Sequence, residues 1–282
     1  ADRLSQLVDQ VYGNPTDYQG FSLAVATACF AVQIYCDFSG YSDMAVGSAQ
    51  MMGFRLTENF RRPYHATSIT DFWRRWHISL STWFRDYVYI PLGGSRVSSY
   101  RRYLNIMAVF VVSGLWHGAN WKFLVWGALH GAYMVFGQIS LPLRERFAAI
   151  LGLTSYPRVR RLWQTLATFT LVAFAWIFFR ANSIGDAIYI ARSLPTGWSI
   201  ILDPAHMSDT LFGLGLPKSE FFLALEMIAI LECGHLLQSK GNVRRMLAKR
   251  PLILRWAAYS ALLWIVFLFG VFRHKEFIYF TF

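Results

Sequence analysis

Long apolar runs alternate with short charged segments along the sequence. A helix that spans a bilayer needs about 20 mainly apolar residues. Apolar runs that reach or approach this length lie at residues 21–36, 103–116, 121–139, 162–179, 220–237 and 252–272. Only a short break separates the runs at 103–116 and 121–139, which predicts a helical hairpin or an arm that re-enters the membrane without crossing it. The pattern predicts an all-α membrane protein built as a multi-helix transmembrane bundle.

Residues 68–90 have a different pattern. Aromatic side chains recur there at steps of three and four, and charged side chains occupy the opposite side. Ser68 and Asp71 have the spacing of a capping box, which predicts a helix start, and Pro91 predicts the end of that helix. We therefore expect one amphipathic helix, which lies in the membrane interface or lines a cavity.

Basic residues are concentrated in alternate segments between the apolar runs. Residues 55–102 carry nine Arg against three acids, residues 144–161 five Arg against one Glu, and residues 240–255 six basic residues and no acid. Residues 1–20, by contrast, carry one Arg against three Asp. Because basic loops tend to remain in the cytoplasm, this alternation predicts several crossings with both chain ends outside.

The composition agrees with a bilayer environment, since 55% of the residues are hydrophobic and only 15% are charged. In a soluble protein the net charge of +11 would suggest nucleic acid as a partner. Here cytoplasmic loops account for the charge, so we expect no nucleic-acid partner. The three cysteines form no CxxC pair and have no histidine at ligand spacing, so neither a disulfide framework nor a metal site is predicted.

His117 is the first candidate for chemistry, because it stands between two apolar runs. Ionisable groups at membrane depth are costly and tend to face a cavity or a partner. A neutral imidazole can accept a hydroxyl proton while the oxygen attacks a thioester. The flanking Gly114 and Gly118 would let backbone or substrate come close. The residues alone leave open a packed histidine that is bonded to a carbonyl.

Two further histidines accompany it. His77 falls on the aromatic side of the predicted amphipathic helix, where a lone histidine is more often structural. Two histidines on different elements at similar apolar depth nevertheless favour a shared site. For His130, within the run at 121–139, we expect a hydrogen bond between helices.

Other charged groups give weaker indications. Asp37 and Asp43 are six positions apart and do not share a helical face, so we expect capping or loop-to-Arg pairing rather than paired acid–base chemistry. Several arginines are candidates for binding an anionic cofactor such as the phosphates of coenzyme A, and are equally typical of a membrane-surface loop. These are Arg61, Arg62, Arg74 and Arg75. No G-x-S-x-G elbow or phosphate loop is present, which favours direct transfer over a covalent intermediate.

Six motifs occur in an order that resembles a known family. They read CDFSGYSDMA at 36–45, NFRRPY at 59–64, DFWRRWHISLSTWFRD at 71–86, YIPLGG at 89–94, GLWHG at 114–118 and EFIYFTF at 276–282. This set resembles the membrane-bound O-acyltransferases, and within them the branch that acetylates exopolysaccharides such as alginate.

The resemblance implies a site, a fold and substrates. It implies that His117 is the catalytic histidine, that His77 occupies a second polar site, and that the helices surround a tunnel. A cytoplasmic acyl donor, acetyl-CoA or another acyl thioester, would meet an acceptor from the far side of a bacterial inner membrane, with no bound cofactor and no metal. The expected partners are this donor, membrane lipid, and a polysaccharide or a periplasmic acetyltransferase. Residues 1–282 would be a single membrane domain, the C-terminal portion of a family member whose N-terminal helices are missing.

Three alternatives remain at this point. The first is an acyltransferase of the same kind that acts on teichoic acid, peptidoglycan or lipid. The second and third are non-catalytic: a transport component that uses a polar tunnel, or a scaffold that recruits partners.

Overall fold

A computed structural model describes residues 1–241 and 243–271, and this part of the chain is helical with no β-strand. The motif at 276–282 lies outside the described residues, as does the last residue of the run at 252–272. The helices are α1 (Asp2–Gly13), α2 (Gly20–Met51), α3 (Ile69–Trp73), α4 (Ile78–Phe84), α5 (Ser99–His117), α6 (Trp121–Ile139), α7 (Leu141–Ile150), α8 (Pro157–Arg180), α9 (Ile184–Ser193), α10 (Pro204–Phe212), α11 (Lys218–Ser239), α12 (Val243–Ala248) and α13 (Leu252–Phe269).

Each of the six predicted apolar runs lies on a helix, namely α2, α5, α6, α8, α11 and α13. Within the described residues, α2, α8 and α13 are long and apolar enough to cross a membrane. The α6–α7 pair meets the same criterion as a unit, although the two helices are bent by 59° across their junction. The prediction of an all-α membrane protein is confirmed, and the orientation of the chain ends stays a prediction.

Helix α2 is longer than the sequence pattern predicts. Its 32 residues continue from the apolar run at 21–36 through the polar segment that follows it. Asp37 and Asp43 therefore lie within a helix, and the capping and loop roles predicted for them are wrong. Residues 37–51 contain no proline, so every backbone N–H there can make the hydrogen bonds that continue the helix.

The predicted single helix over residues 68–90 is also wrong. The segment forms α3, a turn, α4 and a π-helical turn at Arg85–Tyr89. In the break, His77 has a left-handed backbone with φ of 42°. An extended segment binds the interrupted backbone: the Arg61 N–H donates to the Arg75 carbonyl at 2.9 Å, and the Ile78 N–H donates to the Asn59 carbonyl at 3.1 Å. These bonds replace the ones that a continuous helix would make.

The core lies where α1, α2, α6, α8 and the α3–α4 segment meet, and it is rich in aromatic side chains. Trp76, Trp126 and Trp176 are among the largest fully buried residues. Trp176 lies 5.1 Å from Trp76 and 5.9 Å from Trp126, measured between ring centroids. This layer of large rings joins the α3–α4 segment to α6 and α8.

Candidate active site

His117 is the last residue of α5, at the tip of the α5–α6 hairpin. The next residue, Gly118, ends the helix with φ of 152°, a conformation that side-chain-bearing residues rarely adopt. A Cβ atom at Gly118 would also lie 2.9 Å from the ring of Phe123. This position requires glycine, and the glycine fixes where the backbone leaves His117.

The two helices of the hairpin pack through glycines. A Cβ atom added to Gly114 would lie 2.3 Å from the Phe123 carbonyl oxygen, and one added to Gly127 would lie 2.2 Å from the Phe110 carbonyl oxygen. Contacts this short allow only a hydrogen in place of a side chain, as in small-residue helix crossings within membranes. Backbone-to-backbone contact therefore sets the position of His117 relative to α6.

Aromatic rings form the surroundings of the His117 imidazole. Its centroid lies 5.1 Å from that of Trp126 and 5.0 Å from that of Phe179, both edge-on. Phe123 lies 6.3 Å away. The side chain is partly buried. Such a site disfavours an imidazolium charge and keeps a neutral ring available as a proton acceptor.

His77 occupies the break between α3 and α4 rather than the face of a helix. Its ring packs edge-on against Phe38 of α2, with the centroids 4.7 Å apart. Burial lowers the pKa of His77 to about 4, so its imidazole is neutral near pH 7. The imidazoles of His77 and His117 lie within electrostatic range of each other. The structure thus brings together the two histidines that the sequence singled out.

Asn59 holds the His77 segment in place. Its side-chain oxygen accepts from the Ser79 N–H at 3.1 Å, and its amide donates to the Ser42 hydroxyl of α2 at 3.0 Å. The backbone carbonyl of Asn59 accepts from the Ile78 N–H. One residue therefore caps the start of α4 and ties it to α2.

Replacing Asn59 with Ala should destabilise the protein by about 0.5–2 kcal/mol, because the Ser79 N–H in the first turn of α4 loses its side-chain acceptor. We expect a lower midpoint of thermal unfolding in detergent. Asn182→Ala is the matched control, since this side chain donates to the Tyr12 carbonyl far from α4. If the cap also positions His77, the Asn59 variant alone should lower acyl transfer; equal losses in both variants would contradict a positioning role.

His130 is fully buried in α6, and its Nδ1 accepts a hydrogen bond from the Trp73 Nε1–H at 3.3 Å. The prediction of a bond between helices is confirmed, since Trp73 belongs to α3. Phe72 stacks on the imidazole with an interplanar angle of 6°. His130 therefore links α3 to α6.

Three buried ring nitrogens near the site have no hydrogen-bond partner among residues 1–241 and 243–271. They are Nε1 of Trp126, Nε1 of Trp176 and Nε2 of His130. An unpaired buried polar group costs free energy, so a cluster of them indicates a place for polar atoms that the protein does not supply. Trp126 is the member that contacts the ring of His117.

A cavity of about 540 Å³ lies between α3, α4, α5 and α6. Ile78, next to His77, and Ser113, one turn before His117, are both on its wall. Arg74 supplies positive charge to the lining, whereas Arg85 is paired with Asp86, with Nε and Oδ1 2.7 Å apart. Trp73, Phe84 and Phe110 supply apolar surface. The lining includes sequence neighbours of both histidines but neither histidine itself, and it combines polar and apolar walls.

The four candidate arginines have different surroundings. Arg75 pairs with Asp71, with Nε and Oδ1 2.8 Å apart, and Arg61 pairs with Glu58 at 2.9 Å. Arg62 donates to the His235 carbonyl at 3.4 Å. Of the four, the cavity lining includes Arg74. That any of them binds an anionic cofactor stays a prediction.

Sequence reasoning missed several residues. Asn59 was seen only as part of a motif, and Trp126 only as part of an apolar run. A third group, His65, Glu232 and His235, comes together although His65 and Glu232 are 167 positions apart. The spacing of Glu232 and His235 on one helical face was the signal that could have found part of this group.

Comparison with known proteins gives a consistent result. Residues 3–150 match the membrane-bound O-acyltransferase family. A probable alginate O-acetylase of Pseudomonas aeruginosa is 46% identical over 186 residues, which are 65% of this chain and 33% of that protein. A peptidoglycan O-acetyltransferase of Helicobacter pylori is 36% identical over 195 residues, or 69% of this chain and 35% of that protein. A teichoic acid D-alanyltransferase of Bacillus subtilis is 36% identical over 113 residues, or 37% and 28%. The matches thus span about a third of the length of these relatives.

Proposed function

This chain belongs to the membrane-bound O-acyltransferase family, and from that premise we propose that it transfers an acetyl group from a thioester to a hydroxyl oxygen, with His117 as general base. The observation that carries the proposal is the position of His117, which lies at the tip of a rigid hairpin within electrostatic range of His77. We further propose that residues 1–282 belong to a single membrane domain in a bacterial inner membrane.

The proposed reaction proceeds in two proton transfers. Nε2 or Nδ1 of neutral His117 takes the hydroxyl proton while the hydroxyl oxygen forms a bond to the thioester carbonyl carbon. Collapse of the tetrahedral intermediate breaks the carbon–sulfur bond. The departing thiolate then takes the proton from the imidazolium, so the products are an O-acetyl ester and a free thiol, and the histidine is neutral again.

His77 has a positioning role in this proposal. Its neutral imidazole offers one donor and one acceptor nitrogen to a substrate hydroxyl or carbonyl. Its neutrality also avoids a repulsive charge opposite the imidazolium that forms transiently at His117. The left-handed backbone, an unusual conformation at this site, supports a functional placement.

Trp126 is a candidate donor to the carbonyl oxygen that becomes negative; because its ring is fully buried, the bound substrate must displace the packing around Nε1 to reach it. Its Nε1–H has no partner in the described parts of the chain, and its ring contacts that of His117. Trp126→Phe should lower the transfer rate about 10²–10³-fold, the cost of removing one oxyanion donor. Trp176→Phe is the matched control, because it removes an equally buried indole that does not contact His117. Equal losses from both variants would point to core damage instead.

The cavity supports the proposal of an anionic thioester donor. A donor such as acetyl-CoA, or another acyl thioester, carries phosphates that Arg74 can bind and an apolar arm that the aromatic wall can cover. As acceptor we propose an extracytoplasmic polysaccharide similar to alginate, or a periplasmic acetyltransferase that passes the group on. The name of the Pseudomonas relative supports this choice.

The test is transfer of radiolabelled acetyl from acetyl-CoA in inverted membrane vesicles that contain the protein. Label should appear on a polysaccharide or protein inside the vesicles, and vesicles without the protein should show none. Peptidoglycan or lipoteichoic acid offered in the same assay tests the acceptors named for the other relatives. Transport of intact acetyl-CoA without thiol release would instead favour a transport component, and retained cellular acetylation in both histidine variants would favour a scaffold.

A further inference from the structure

Two histidines and one carboxylate meet beside α2. His65 ends the short 3₁₀ turn Pro63–His65, and Glu232 and His235 are three residues apart on α11. One ligand atom from each lies within 4.8 Å of the others. His65 Nε2 is 2.7 Å from Glu232 Oε2, and His235 Nδ1 is 3.2 Å from Glu232 Oε1. Three metal-binding side chains thus converge from two separate elements.

A fourth residue fixes the ring of His235. The Tyr35 hydroxyl lies 2.8 Å from His235 Nε2, in a buried contact. When that nitrogen donates its proton to the Tyr35 oxygen, Nδ1 carries a lone pair directed toward Glu232 and His65. Metal-ligating histidines almost always have such a partner on the other nitrogen, which sets the tautomer and the ring orientation. The contact supports a ligand role for Nδ1.

We propose that His65, Glu232 and His235 bind a first-row divalent cation, with Zn²⁺ as the first to test. Two imidazole nitrogens and one carboxylate are ligands that suit Zn²⁺. Ca²⁺ and Mg²⁺ prefer sites made of oxygen ligands alone. Three protein ligands leave one position of a tetrahedral ion for water. Moving the ligand atoms apart by small side-chain rotations would admit the ion between them.

Access and charge are consistent with this site. The side chains of Glu232 and His65 are 45% and 35% exposed, whereas that of His235 is 6% exposed. The ion can therefore enter from the open side and rest against the buried imidazole. Glu232 supplies one negative charge. Arg62, which donates to the His235 carbonyl, is the nearby positive group that opposes binding.

The ion would tie α11 to the rest of the protein. Tyr35 packs against Tyr64, Phe60 and Trp76 with centroids 5.7, 5.9 and 6.3 Å away. A metal held beside Tyr35 would thus join α11 to α2 and to the segment that precedes His77. Without a metal, the same atoms form a hydrogen-bonded chain from His65 through Glu232 and His235 to Tyr35. This inference does not depend on acyl transfer.

Metal content of the purified protein is the direct test. The protein, without a polyhistidine tag, is isolated in detergent, stripped with a chelator, and titrated with Zn²⁺ or with Co²⁺, whose visible bands report tetrahedral coordination. We expect about one ion per chain in the wild type. His65→Gln and Glu232→Gln should not retain it, whereas His206→Ala, an exposed histidine on α10, should bind as the wild type does.

Thermal unfolding distinguishes a bound metal ion from the metal-free, hydrogen-bonded arrangement of the same side chains. Zn²⁺ should raise the midpoint of thermal unfolding of the wild type and of His206→Ala, but not of the two ligand variants. Tyr35→Phe retains the ring and should weaken Zn²⁺ binding about 10–100-fold. A folded wild type that takes up no ion, or ligand variants that bind as tightly as the wild type, would overturn the proposal.

Discussion

Replacing His117 with Gln is expected to lower the acyl-transfer rate about 10²–10⁴-fold, the usual contribution of a general base. Gln fills a similar volume but cannot take the hydroxyl proton. Because the His117 side chain is only partly buried, the fold should tolerate the change. The measurement is labelled acetyl transfer in membranes at matched expression, and the loss should lie in kcat rather than in KM, because the proton transfer occurs only as the bond forms.

The control for this substitution is His206→Ala, which removes an exposed histidine on α10 and should transfer at the wild-type rate. Thermal unfolding of both variants checks that they are folded. A His117→Gln protein that transfers acetyl normally would remove the proposed mechanism. A variant that is inactive only because it unfolds would assign His117 a packing role, the alternative that the sequence left open.

Replacing Gly127 with Ala is expected to destabilise the protein by about 1–3 kcal/mol or more. The new Cβ would lie 2.2 Å from the Phe110 carbonyl oxygen. Because that oxygen is backbone, the strain can be relieved only by moving α5 away from α6, which would also displace His117. We therefore expect a lower unfolding midpoint and a lower transfer rate together.

Gly137→Ala tests the same chemical change on the same helix. No atom lies within 4 Å of the Cβ position at Gly137, so this substitution should stabilise the protein by about 0.5–1 kcal/mol through helix propensity. Opposite shifts of the two midpoints would establish the close helix crossing. A Gly127→Ala protein as stable as the wild type would show that α5 and α6 are farther apart than the structure indicates.

Local signals in the sequence were sufficient to predict the long helices. The run at 121–139 coincides with α6, because Asn120 caps the helix start by accepting from the Lys122 N–H at 3.1 Å. The helix start predicted at Ser68 is confirmed as well, since the Ser68 hydroxyl accepts from the Asp71 N–H at 3.1 Å, although the Asp71 carboxylate accepts from the Thr67 N–H rather than from that of Ser68. In both cases the residues that decide the structure are neighbours in sequence.

The break at His77 could not be predicted in the same way. Its aromatic periodicity continues across the turn, so the pattern looks like one helix. The backbone bonds that stabilise the break come from Asn59 and Arg61, whose partners lie 14 to 20 positions further along the chain. Sequence patterns report local periodicity and do not report which distant segment supplies a competing hydrogen bond.

The residues of the two candidate sites were likewise predicted only in part. His117 and His77 were predicted because an ionisable residue stands out against apolar neighbours. Their proximity was only inferred, and the structure supplies it. His65, Glu232 and His235 were not predicted, because the two elements that carry them meet only in the folded chain. Long-range contacts of this kind have no signature in a single sequence.

The length of α2 carries the chain past the hydrocarbon core of a bilayer. At 32 residues the helix extends about 48 Å, whereas a hydrocarbon core is about 30 Å thick. The apolar run at residues 21–36 covers about 24 Å of that length, and the polar part from Asp37 onward continues beyond it. Ser42 in this polar part is bonded to Asn59, which caps α4 directly after His77. One continuous helix therefore connects an apolar run suited to the bilayer with the segment that carries His77, so this histidine is held relative to the membrane by a helix on which it does not itself lie.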